Sequence, residues 1–173
     1  MFTKKRSARI LTVAGATALA LGAMSGTQAA TDDIAVTATV VANCSITAAA
    51  LDLGSYDPVV VNASDPAEAS SLLSVTCTSG ASATVTLDEG DNATGTSSAA
   101  DPDRRLTDGS NFLSYGLFTN TDRDDEWGNT ALTGVPYTGT GTAGSITVYG
   151  SIPAGQNVPA GVYADVVTAT ITL

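Results

Sequence analysis

The chain has 173 residues, with 17 acidic side chains against seven basic ones and no histidine. Without histidine, Ser-His-Asp and Cys-His catalysis lack their base, and two cysteines alone cannot assemble the usual zinc ligand set. An acidic surface also has the wrong sign for phosphate backbones and anionic lipids, so neither nucleic acid nor direct membrane insertion is expected.

Residues 1–29 read as an export leader. Lys4, Lys5, Arg6 and Arg9 form a positive head, Ile10 to Met24 is an apolar stretch rich in alanine, and Thr27-Gln28-Ala29 supplies small residues for cleavage before Ala30. The leader carries four of the seven basic residues. Arg104, Arg105 and Arg123 remain against 17 acids, a net charge of −14. No lysine follows the leader, which removes Schiff-base and Ser-Lys chemistry. The remaining 144 of 173 residues suit a single domain with a reasonable core. Their richness in Ala, Val, Thr, Gly and Ser, in short alternating runs between Gly/Pro/Asn/Asp clusters, predicts an all-β sandwich.

Along the chain, Thr31 to Val41 alternates, with Ile34, Val36, Ala38 and Val40 on one face. Asn43 to Thr47 begins a short strand, and Leu51 to Tyr56 continues it or forms the next. Leu72 to Thr78 and Ala83 to Leu87 are strands joined by a Ser-Gly turn. An acidic loop spans Asp88 to Asp103, and Leu106 makes a short edge contact. Phe112 to Thr119 is the most aromatic strand, followed by an acidic turn around Trp127. Thr130 to Gly144 reads as a mobile Gly/Thr-rich connection, and Ser145 to Ile152 and Val162 to Leu173 are the last strands. The final strand has a strong apolar face, including Tyr163, Val167, Ala169, Ile171 and Leu173, which suggests a sheet completed by something outside it. About six principal strands follow the first segment, one short of a seven-stranded immunoglobulin-like sandwich.

Export exposes Cys44 and Cys77 to an oxidising compartment, and an even pair there predicts one disulfide. Asp122, Asp124 and Glu126 have oxygen ligands suited to calcium, but Trp127 stands where a calcium loop needs glycine, so a solvated acidic turn is the better reading and no metal is expected. Gly139, Gly141 and Gly144 lack the lysine and helix start of a phosphate loop. Carboxylate pairs of the glycosidase kind are possible from composition alone, but nothing in the sequence places two in a cleft. No enzyme activity and no cofactor are expected. The segment Ile34 to Val40 has two readings: an ordinary first strand within its own domain, or an exposed extension that adds a strand to another molecule.

The runs Arg105-Leu106-Thr107-Asp108-Gly109, Leu113-Ser114-Tyr115-Gly116-Leu117-Phe118 and Trp127-Gly128-Asn129 resemble the spore coat protein U domain family. So does the ending Val148-Tyr149-Gly150-Ser151-Ile152-Pro153-Ala154-Gly155-Gln156, with Val158 to Gly161 and Tyr163-Ala164-Asp165. The family so resembled includes the major subunits of archaic, Csu-type chaperone–usher pili. The resemblance implies an incomplete immunoglobulin-like β-sandwich whose seventh strand comes by donor-strand exchange, first from a periplasmic chaperone and then, at an outer-membrane usher, from the next subunit. Residues 30–41 would be the donor extension and residues 42–173 the pilin domain. The donor residues would be Ile34, Val36, Ala38 and Val40. The acceptor groove would be lined by Ile46, Val167, Ala169, Ile171 and Leu173, with the Leu173 carboxylate anchoring on the chaperone. The implied function is a structural pilus subunit at the cell surface, reached through the periplasm, with identical or related subunits as partners and a role in surface attachment and biofilm. The alternative is a tip or spore-coat component that binds a surface or glycan through loops at Phe112 to Trp127 or Gly134 to Gly144.

Overall fold

The structure is a computed structural model and describes residues 28–173, so the leader assignment lies outside the described residues save for Gln28 and Ala29. The chain divides into two compact units, Met1–Ala38 and Thr39–Leu173. Within the first, residues 28–38 carry no strand and are exposed.

The second unit holds the eight strands found among the described residues: β1 (Cys44–Ala48), β2 (Ala67–Cys77), β3 (Ser82–Leu87), β4 (Arg104–Thr107), β5 (Phe112–Phe118), β6 (Val135–Thr138), β7 (Gly144–Ile152) and β8 (Ala169–Thr172). They form two antiparallel sheets, a five-stranded one in the order β1-β2-β7-β5-β4 and a three-stranded one in the order β6-β3-β8. The alternating apolar residues build the core between them. Leu73 and Val75 of β2, Val85 and Leu87 of β3, Leu113 and Leu117 of β5, and Val148 and Ile152 of β7 are all buried. The all-β sandwich expected from the alternation is the architecture observed.

Several elements differ in extent from the sequence reading. β2 starts at Ala67, five residues before Leu72, because Ala67 to Ser71 lacks branched side chains but pairs throughout with β7, from Ala67↔Ile152 to Ser71↔Val148. β4 is a full short strand rather than a contact at Leu106. Two consecutive arginines mask its pattern, yet Arg104 points inward and is 1% exposed. Residues 130–144, read as mobile, contain β6. Pro136 argues against a strand there, but β6 is an edge strand paired only with β3, where a missing N–H costs little. Leu51 to Tyr56 forms no strand, although its apolar side chains Leu51, Leu53 and Tyr56 still pack against the core. In the last segment only Ala169–Thr172 is a strand. Residues 163–168 keep the same inward–outward alternation while crossing from an isolated bridge to β4, Thr107↔Ala164, to the edge of β3.

Cys44 and Cys77 are directly opposite in the β1–β2 ladder, with their Cα atoms 4.1 Å apart, and are bonded. The end of the sandwich that they mark is closed. Gly139 N donates to Ala81 O at 2.8 Å, Gly141 N donates to Cys77 O at 3.1 Å, and the Tyr137 hydroxyl donates to Val75 O at 3.2 Å. The expected disulfide is thus a staple between an edge strand and the longest strand of the large sheet. Reducing it should lower stability by about 3–4 kcal/mol, the loop-closure entropy returned to the unfolded chain. Urea unfolding with and without reductant, or of a Cys44→Ser/Cys77→Ser double variant, measures the loss.

The β4–β5 turn is held by one carboxylate. Asp108 Oδ1 accepts from Ser110 N at 2.8 Å and Asn111 N at 2.7 Å, while Oδ2 accepts from Asn111 Nδ2 at 2.9 Å. The Asn111 side chain and backbone, with Ser110, lower the Asp108 pKa to about 2 from the ordinary 3.8. A depressed carboxylate pKa stabilises the fold above the unfolded value and loses that contribution as pH falls through the folded one. The part of the stability difference between the wild-type chain and Asp108→Asn that comes from this charge should therefore be complete at pH 5, shrink steadily below it and vanish only as pH falls through 2, as read by thermal melts across that range.

Candidate functional site

β1 is bonded only to β2 and β8 only to β3, so each ends its sheet with a row of backbone groups outside any ladder. The two edge strands lie close to each other without sharing a ladder. Beyond them, away from the disulfide end, the sheets part and leave an open apolar groove. One cavity of about 500 Å3 lies between Ala48–Leu53 and Asp165–Ala169, floored by Leu73, Leu87, Leu117 and Val148. A second, of about 770 Å3, continues between Leu51–Val59 and Asn157–Asp165, over Leu113 and Ile152. Core side chains from both sheets thus face the groove. Strand β7 comes close beneath it because Gly150 has no side chain: a Cβ there would stand 2.7 Å from Leu51 Cδ2.

The predicted groove residues fall in different places. Val167 and Ala169 line the 500 Å3 cavity. Ile46 and Ile171 are half-buried against the core nearer the closed end, paired with Val75 and Val85. Leu173 is 57% exposed and shares a shallow hollow with Thr170 and Thr172 on the outer side of the small sheet. The groove's rim residues Leu51 and Leu53 were not singled out from sequence, although the alternation in Leu51-Asp52-Leu53 carries their signal. Its floor comes from strands whose burial the pattern showed but whose open side it did not. Ile34 and Val36, in the first unit, are each 88% exposed, and Val40, in the second, is 83% exposed. Ala38 is exposed as well.

Polar side chains bind the two sheets together beside the groove. Arg104 of β4 donates through Nη2 to Leu87 O at 3.2 Å, Asp88 O at 2.6 Å and Trp127 O at 2.7 Å, and through Nε to Asp88 O at 2.8 Å. Burial lowers its pKa, opposed by the charges of Glu126, Asp88 and Asp165. Its Nη1 lies 3.8 Å from Glu126 Oε1, and burial raises the Glu126 pKa. Trp127 is fully buried; its Nε1 donates to Val85 O at 3.0 Å, and its backbone N donates to Leu117 O at 2.8 Å. Of Asp122, Asp124 and Glu126, Asp124 accepts from Asn120 and Glu126 faces Arg104.

Asp165 lines both cavities. Its Oδ2 accepts the Tyr115 hydroxyl at 2.7 Å, and its Oδ1 accepts Asn92 Nδ2 at 2.8 Å and Asn92 N at 3.2 Å. Gly90 is what admits it, since a Cβ at that position would sit 2.2 Å from Asp165 Oδ2. Burial pushes the Tyr115 hydroxyl pKa well up, and Asp165 adds to the rise, so this proton stays on the phenol. At the groove's far end, Gln156 pairs with β5 as a strand would: its Oε1 accepts Ser114 N at 2.8 Å and its Nε2 donates to Ser114 O at 2.9 Å. The motifs at Arg105–Gly109, Leu113–Phe118, Trp127–Asn129 and Tyr163–Asp165 therefore mark a frame that holds an apolar groove. An open apolar groove between two unpaired strand edges can accept an extended segment.

The family model for the Spore Coat Protein U domain matches residues 30–170. The chain is 44% identical over 126 residues to "Protein U" of Myxococcus xanthus, covering 70% of each chain. Among solved structures it is similar to one described as a CsuC-CsuE chaperone-tip adhesion subunit pre-assembly complex from archaic chaperone-usher Csu pili of Acinetobacter baumannii. That match has a TM-score of 0.52 at 21% identity, over 78% of this chain and 40% of the matched one. The chain belongs to the Spore Coat Protein U domain family, and the fold likeness agrees with an immunoglobulin-like β-sandwich.

The Tyr115–Asp165 bond is a direct test of the frame. Tyr115→Phe keeps the ring and leaves the partly buried carboxylate short of one donor, which should cost about 1–3 kcal/mol in urea unfolding.

Proposed function

We propose, from membership of this family and the open groove, that the chain is a structural, non-enzymatic subunit of an archaic chaperone–usher pilus. Residues 1–29 direct export, residues 30–41 are the donor extension and residues 42–173 the body that accepts a donor. Ile34, Val36, Ala38 and Val40 enter the groove of a second subunit. Val167 and Ala169 line the place they enter, and Ile46 and Ile171 bound it towards the closed end, on the strands that flank it. A periplasmic chaperone covers the groove before assembly, an outer-membrane usher replaces it with the next subunit, and the fibre serves surface attachment and biofilm.

The observation that carries this reading is the pairing of opposites in one chain. An apolar groove stands between two strand edges without ladders, and an alternating segment carries its apolar side chains 83–88% exposed at Ile34, Val36 and Val40. Burying an Ile or Val side chain is worth roughly 1.5–3 kcal/mol, so such a face supplies on the order of 5 kcal/mol beside the new backbone ladder. A spore-coat component or a surface- or glycan-binding tip is the alternative. It is favoured by the description of the matching family, Spore Coat Protein U domain, and by Phe112, which is 44% exposed with the Arg105 guanidinium stacked 4.0 Å from its ring centre.

Moving residues 31–41 from the N-terminus to a position after Leu173, through a short linker, makes donation intramolecular at an effective concentration in about the millimolar range. The rearranged protein should stay monomeric and melt well above one lacking residues 31–41. The same rearrangement carrying Val36→Asp should lose the gain, because it places a charge in an apolar groove. Equal melting points for all three proteins would sink the donor-strand reading. A gain abolished by Val36→Asp, without fibres on cells in electron micrographs, would favour the coat alternative.

A further inference from the structure

The two cavities of the groove meet at four residues that line both of them: Leu51, Leu53, Leu106 and Asp165. Three are apolar. The fourth is a carboxylate fixed from behind by the Tyr115 hydroxyl and by Asn92, so it cannot swing aside to make room. Gly90 backs it on another side, at a distance where even a methyl group would collide. The groove is therefore an apolar chamber and a larger one of mixed lining, with Asp52, Ser55, Asp57 and Asn157 among its walls, joined by a waist with one polar wall. A large apolar side chain at the waist would crowd this held carboxylate and strip water from its one remaining acceptor site.

The alternating face of residues 34–40 has a matching irregularity. Ile34, Val36 and Val40 are branched, while position 38 is alanine. Along an extended segment, side chains on one face recur about every 6.7 Å, so the four span about 20 Å. Of the four, only the alanine is small enough to leave the waist unfilled while its neighbours reach the chambers on either side. A slip of two residues would drive Val36 or Val40 against Asp165. A slip of one would turn the threonines inward.

We propose that the Asp165 waist sets the register of strand donation by admitting only a small side chain, and that Ala38 of a second copy is the residue it admits. The inference rests on the donor-strand reading and deepens it by naming the contact that fixes the register. Ala38→Ser is compatible with the waist, because the hydroxyl is barely larger and can donate to the carboxylate's one free acceptor site. Ala38→Leu is not, whereas Val36→Leu, facing a chamber, is tolerated.

Synthetic peptides of residues 31–41 carry the test, so no variant can confound it by failing to fold. Binding to the purified full chain is followed by fluorescence anisotropy. Relative to the natural peptide, Ala38→Leu should bind at least tenfold more weakly, while Ala38→Ser and Val36→Leu stay within about threefold. Comparable affinities for Ala38→Leu and Val36→Leu would overturn the waist while leaving strand donation standing, and so would Ala38→Ser binding as poorly as Ala38→Leu. If the natural peptide does not bind even after brief partial denaturation and refolding in its presence, the donor-strand reading falls and the waist with it.

Discussion

The structure turns on two strand edges that have no partner within the second unit. β1 and β8 belong to different sheets, each has one ladder, and the apolar interior lies open beside them. An immunoglobulin-like sandwich normally avoids such a seam, because unpaired N–H and C=O groups over exposed apolar side chains invite association with other chains. Here the seam is bordered by residues whose spacing repeats the strand period, Leu51 and Leu53 on one rim and Val167 and Ala169 on the other. An extended segment laid along such a seam would meet both rims and both sets of unpaired backbone groups, which is why strand donation is the function proposed for it.

A vacancy of this kind would let the sheets slide together were they tied only by core side chains. The polar frame prevents it. Arg104 reaches from the large sheet to Leu87 O at the end of β3 in the small one, and Trp127 bonds Leu117 O on one side and Val85 O on the other. Replacing so buried an arginine by an apolar residue of similar volume would leave several carbonyls without donors, the costly kind of loss. These ties do not pass through the groove, so they hold the sheet spacing whether the groove is empty or filled. The disulfide does the same for β1, which has only five residues and a single neighbour.

Much of this was legible in the sequence, and what was missed has physical causes. Period-two alternation located the strands whose inner faces are branched and apolar, and it identified the 31–41 segment as apolar on one face. It failed where a residue's usual role was inverted. Arg104 looks like a surface charge and is buried because three carbonyls converge on it. Pro136 looks like a strand breaker and sits on an edge that needs no donor. Asp165 enters the sequence reading only as the end of the run Tyr163-Ala164-Asp165, yet it is a fixed wall of the groove, through contacts with Asn92 and Tyr115 that lie 73 and 50 residues away. No local pattern carries pairings of that range. The groove floor was hidden for a related reason: burial of Leu73, Leu117 and Val148 is written in the alternation, but the open side of a core depends on where strands stop.

Composition and groove also fit together. A chain with an exposed apolar seam and an exposed apolar segment is at risk of indiscriminate association. After residue 29 the chain has 17 acids and three arginines, and all three arginines are engaged: Arg104 in the core, Arg105 on Asn92 O and Ala93 O, and Arg123 with Glu68 at 2.9 Å. The remaining surface is left strongly negative, so copies repel one another at long range. Attraction is then confined to short-range burial of apolar side chains with backbone pairing, which charge does not steer and which requires a matching register. Repulsion everywhere except along one groove would make the proposed strand donation selective.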